Sequence, residues 1–91
     1  MSYIFKASET FWRNFYALMP AQKEATRDAW DIFKTNPFDP RLGTHQIRRL
    51  SSKAGRTVYA VVIKDDLRLL FFIKGNAVYS FDIGTHDVYK Q

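Results

Sequence analysis

Three apolar runs, "TVYAVVI", "LRLLFFI" and "AVYSFDI", follow one another between Thr57 and Ile83, separated only by "KDD" and "KGN". Links this short join antiparallel neighbours, and the Gly-Asn pair is a strong two-residue hairpin signal. The runs therefore predict an antiparallel meander. The first two are apolar at successive positions rather than alternating, so both faces of such a sheet need cover: one meets helices and the other is at least partly shielded. This requirement constrains the rest of the chain.

The segments ahead of the meander supply that cover. "SYIFKA" alternates as a short first strand, with Tyr3 and Phe5 on one face. Ser8 stands where an N-cap belongs and Glu9 suits the positive end of a helix. Phe11, Phe15, Leu18 and Met19 then form one helical stripe flanked by Trp12 and Tyr16, which core packing explains most simply. Pro20 is placed to open a second helix with Ala25, Ala29, Ile32 and Phe33 inward, and Asn36-Pro37 stops it. "PFDPRLGT" reads as an irregular connection, "HQIRRL" as a short strand and "SSKAGR" as a flexible polar loop. The expected order is β-α-α-β-β-β-β, an α+β domain of two layers with a helical hairpin on an antiparallel sheet.

At 91 residues the chain is one domain, residues 1–91, with 46% hydrophobic content and no linker-like tract. With no cysteine, neither a disulfide framework nor a Cys-based zinc site is available; two histidines without helical ligand spacing argue against a metal centre. A cytoplasmic setting is expected, since the start lacks a signal-like apolar run and no segment approaches the roughly 20 apolar residues of a membrane span. Fourteen Lys and Arg against nine Asp and Glu give a net charge of +5, which favours a polyanionic partner such as RNA, DNA or an acidic protein.

The informative residues are those that break the apolar pattern. Arg68 is the second residue of its run and shares a face with Leu70 and Phe72, so its permanent charge needs water, a phosphate or a carboxylate such as Asp66 or Asp82 beside it. On the last run Val78, Ser80 and Asp82 fall on one face, which reads as half open and polar, with Tyr79, Phe81 and Ile83 on the other. Gly84 permits a bend that would carry Thr85, His86 and Asp87 over the strand ends. His45 precedes Arg48 and Arg49, and Lys53 and Arg56 bracket the polar loop.

Taken together, the helical hairpin, "NPFDPRLGTHQIRRL", "DDLRLLF" and the ending "IGTHDVY" resemble the RelE/ParE superfamily of toxins from bacterial type II toxin-antitoxin systems, over nearly the whole chain. The resemblance implies a metal-independent, ribosome-dependent messenger RNA endonuclease, with no cofactor, that inhibits translation and is neutralised by a cognate antitoxin. In that chemistry a ribose 2′-OH attacks the adjacent phosphorus. A base, a cation for the developing charge and an acid for the departing 5′-oxygen are required. Arg68 matches the charge-stabilising arginine of RelE-type enzymes. His86 matches the histidine of the YafQ-like branch and becomes the candidate acid. His45 and Asp66 match acid/base or supporting positions of that branch, and Tyr89 is similar to the C-terminal tyrosine of RelE. Arg48, Arg49, Lys53 and Arg56 are the expected RNA contacts. RelE proper has two lysines where this chain has Tyr59 and Val61, and the YafQ-like branch has a histidine where Ala60, Val61 and Val62 stand, so the general base is unassigned.

Three other readings are open to the same sequence. A ParE-like toxin would poison DNA gyrase by binding. A catalytically inactive relative would bind only its antitoxin. An RNA-recognition platform would stack bases on Tyr59 and Phe72, although the order of elements is not βαββαβ.

Overall fold

The computed structural model describes residues 2–85 and 88–89. The three apolar runs form β3 (Tyr59–Lys64), β4 (Leu67–Lys74) and β5 (Ala77–Gly84), paired antiparallel as the short links require. Gly75, at φ +62°, makes the β4–β5 turn, and Asp65 makes the β3–β4 turn at φ +51°, a conformation that aspartate tolerates better than most residues.

Two strands flank this meander, giving the sheet order β1-β5-β4-β3-β2. β1 (Ile4–Ala7) lies parallel to β5, with Phe5 opposite Val78 and Lys6 opposite Tyr79. The sheet is thus mixed rather than wholly antiparallel. β2 is only His45–Gln46, set against Ala60 and Tyr59. The strand expected over "HQIRRL" stops there because the chain turns at Ile47 into a helix, α3 (Arg48–Ala54), which also replaces the flexible loop expected over "SSKAGR". Leu50 supplies the reason. It is buried against Val58, Ala60 and Leu70, so a helical turn here covers the second apolar face of the sheet.

The first face is covered by α1 (Glu9–Tyr16) and α2 (Pro20–Phe33). Phe11, Phe15 and Phe33 pack there on Val61, Leu69, Phe71 and Val78. Phe33 is central, with ring centroids 5.4 Å from Phe5, 5.4 Å from Trp30 and 5.0 Å from Phe71. The expected stripe is shorter than the periodicity implies. Helix α1 ends at Tyr16, leaving Met19 exposed as the residue before α2. Trp12 and Tyr16 are not core residues either: they are 46% and 65% exposed and stack on one another, 5.9 Å apart. They border a cavity of about 490 Å³ between the two helices.

Before β2, Asp39 accepts bonds from both the backbone and the guanidinium of Arg41. The Arg41 side chain, and secondarily its backbone N–H, hold the Asp39 carboxyl down at about 2.

A bulge in β5 resets the alternation of the last strand. Leu70 pairs with Asp82 and Phe71 with Ser80, so Phe81 is the extra residue. Beyond it, Ile83 joins Val78 in the helix-side core instead of pointing to the opposite face, and Ser80 and Asp82 are buried rather than half open. Ser8 Oγ donates to the Phe81 carbonyl at 2.9 Å and itself accepts from the Phe11 N–H at 3.0 Å. Ser8 therefore caps α1 and satisfies the bulge at once. Ser8→Ala is expected to cost about 1–2 kcal/mol, read as a fall in Tm of roughly 5–15 °C by circular dichroism. Ser8→Asp, which caps but cannot donate, should recover only part of the loss.

Candidate functional site

Strand register gathers the candidate residues on the sheet face opposite the α1–α2 hairpin. Arg68 lies between Val62 of β3 and Gly84 of β5. Along β4 it alternates onto the same face as Leu70 and Phe72, as the sequence implies. Arg68 is half-buried, and its Nη1 donates to the carbonyls of Asp65 at 2.7 Å and Leu67 at 3.2 Å. Asp82 is occupied elsewhere, its Oδ1 accepting from Asn14 Nδ2 at 2.7 Å and from the Ile83 N–H at 2.8 Å. By holding the Asp65 carbonyl, Arg68 pins the left-handed turn that carries Asp66, which is exposed beside it.

His45 reaches the same face by a different route. It pairs with Ala60, which in turn pairs with Leu70, and residues directly opposite in a ladder share a face. Standard strand spacings put its Cα roughly 10 Å across the sheet and 7 Å along it from that of Arg68. Two side chains at that separation can approach one phosphodiester from opposite sides. Its position depends on Gly43, where φ is +59° and a Cβ would come within 3.2 Å of Val62. The His45 ring Nδ1 lies 2.9 Å from the Gly43 carbonyl oxygen, which leaves Nε2 as the outward nitrogen.

The C-terminal ending also returns to this face. The Val88 N–H donates to the Thr85 carbonyl at 2.9 Å, a tight turn after β5. Val88 is buried and Tyr89 packs with it on Leu50, Val58, Ala60 and Leu70. The turn does not use a left-handed glycine: Gly84 is absent from the positive-φ residues, and a Cβ there would meet Val88 at an ordinary 3.6 Å. The candidate acid His86, with Asp87, lies outside the described residues.

The basic residues divide. Arg48 and Arg49 open α3 and Lys53 closes it, all exposed, while Gly55 at φ +71° ends the helix. Arg56 lies over the Phe72 ring, its Cζ 4.5 Å from the centroid. The proposed pair of stacking residues does not form a platform. Tyr59 stacks on Phe71 toward the hairpin, whereas Phe72 stacks on Tyr79 on the other face. Tyr79 and Lys6 join Phe72 there, with Lys6 Nζ 5.7 Å from the Tyr79 ring.

Among the described residues, no group of three His, Asp or Glu side chains is arranged to hold a metal ion, and no helix is long and apolar enough to cross a membrane.

No family model and no curated protein matches the sequence. Solved structures do match the fold. YafQ from E. coli strain BL21(DE3) superposes with a TM-score of 0.73 at 12% identity, covering 99% of this chain and 100% of that one. The E. coli DinJ-YafQ toxin-antitoxin complex gives 0.72 at 14% identity over 97% of each chain. The archaeal RelE-RelB complex from Pyrococcus horikoshii OT3 gives 0.71 at 13% identity, over 93% of this chain and 96% of that one. With three helices around a five-stranded mixed sheet, matched end to end, the chain has the fold of RelE and YafQ.

Proposed function

We propose that the protein is the toxin of a type II toxin-antitoxin system and cleaves messenger RNA on the ribosome. The observation that carries this reading is the convergence of Arg68, His45 and the returning C-terminal turn on one sheet face, rimmed by the cations of α3, in the fold of RelE and YafQ. In the proposed reaction the 2′-OH loses its proton and attacks the neighbouring phosphorus. The P–O5′ bond breaks, leaving a 2′,3′-cyclic phosphate and a 5′-OH end. Arg68 faces the developing phosphorane charge, and its planar fork suits two phosphate oxygens. His86 is assigned the proton donated to the 5′-oxygen, on the resemblance of the "GTH" ending. His45 and Asp66 serve as acid/base or supporting groups. Tyr89, anchored through Val88, would orient the ribose. Arg48, Arg49, Lys53 and Arg56 position the backbone without reading sequence. The proposed partners are the ribosome, its messenger and a cognate antitoxin. Complexes with RelB and DinJ among the fold's solved structures support an antitoxin.

The test is to map 5′-OH ends on cellular RNA after brief induction, with gyrase assayed in parallel. Cuts confined to translated frames, with supercoiling intact, are expected. Stalled gyrase with cleaved DNA would instead establish the ParE-like reading, and neither effect would leave an inactive antitoxin-binding relative.

A further inference from the structure

The face that carries Arg68 has a second feature at its other end. Register sets Lys6 beside Tyr79 and Tyr79 beside Phe72, so one row crosses β1, β5 and β4. The two rings stack with centroids 5.1 Å apart and planes 17° from parallel. Their outer faces each meet a cation: Arg56 over Phe72 at 4.5 Å, and Lys6 over Tyr79 at 5.7 Å. Both cations are exposed and both rings half-buried. We infer that this Lys6–Tyr79–Phe72–Arg56 row is a binding subsite for an unpaired base of single-stranded RNA and the phosphates on either side of it.

The two ends of the row differ in a way that supports this. Arg56 sits close on its ring, whereas Lys6 is near the limit of about 6 Å at which such attraction operates. A base can therefore replace the flexible Lys6 stem on the Tyr79 face, and the released ammonium remains beside the strand to pair with a phosphate. The cations occupy opposite ends of the stacked pair, so one small anion cannot engage both; a strand with successive phosphates can. An acidic peptide offers carboxylates to the cations but nothing to fill an aromatic face. Phe72 lies four residues along β4 from Arg68, roughly 13 Å at strand spacing. Between them Leu70 is roofed by Leu50 and Val88, which makes the row a separate subsite. That its strand is messenger rests on the function proposed above.

The experiment measures anisotropy of a labelled 12-nucleotide, 2′-O-methylated single-stranded RNA, which lacks the nucleophile, with the full chain. Lys6→Gln and Tyr79→Leu are each expected to weaken binding on the order of 10-fold. Lys23→Gln, an equal charge change on α2, should leave affinity unaltered. Lys6 is exposed, so Lys6→Gln is expected to preserve folding, and its result stands even where Tyr79→Leu is unstable. Wild-type affinity in the Lys6 variant, no RNA binding by the wild type, or a loss seen only with a labelled acidic peptide would each overturn the inference. Failure of the nuclease reading is a separate result, an absence of 5′-OH cuts, which this binding measurement does not use.

Discussion

Arg68→Ala is expected to slow single-turnover cleavage of ribosome-bound messenger by on the order of 10²-fold or more. A guanidinium fixed beside a phosphorane needs no reorganisation as charge develops, and its fork matches two oxygens where a lysine offers one point charge. Arg68→Lys should therefore recover only part of the rate. The substitution also removes the bonds to the Asp65 and Leu67 carbonyls, so folding must be read beside it. Asp65 is exposed, so water can replace the arginine at its carbonyl, whereas Leu67 is buried, and the structural cost should be about 1–2 kcal/mol. His86→Ala belongs in the same assay. If His86 is the acid, His86→Gln, which donates a hydrogen bond but transfers no proton, should stay about as slow as alanine. Cleavage near the wild-type rate with Arg68→Ala would remove the arginine from the chemistry and leave it a turn-fastening residue.

Phe33→Ala should produce the largest loss of stability, about 3–5 kcal/mol. Phe33 is buried at 1% exposure where β1, α2 and β4 meet, and its three aromatic neighbours belong to different parts of the chain. Removing the ring leaves a cavity that Phe5, Trp30 and Phe71 cannot all close, because each is fixed by its own element. A chain of this length has a total stability of roughly 5–14 kcal/mol, so a large fraction disappears. Urea denaturation should show a lower midpoint with little change in m. Tyr16→Ala, a change of comparable size on an exposed ring, should shift stability by less than about 0.5 kcal/mol; a comparable loss there would mean that the hairpin aromatics act as core after all.

Local chemistry made much of the architecture legible in the sequence. Ser8 as a cap, Pro20 as the first residue of a helix and Gly75 as the turn of a hairpin each act within a few residues, and their physical meaning is carried by their own side chains or their lack of one. The two-faced apolar runs likewise demanded cover on both sides of the sheet. Arg68 could be placed on the face of Leu70 because alternation within one strand needs no knowledge of any other.

Tertiary structure alone decided what depended on partners far along the chain. The parallel pairing of β1 with β5 joins segments about seventy residues apart, and no local pattern distinguishes it from an antiparallel edge. That pairing puts Lys6 on Tyr79. The extra residue at Phe81 reversed the expected facing of Ile83, since alternation carries no memory across a bulge. Arg48–Ala54 became a helix because burying Leu50 over Ala60 and Leu70 outweighs the polar composition around it, and that gain exists only once the sheet is formed. The same sheet brings His45, Arg68 and Tyr89 to one surface: each residue type was visible in the sequence, but the surface they share is a property of register.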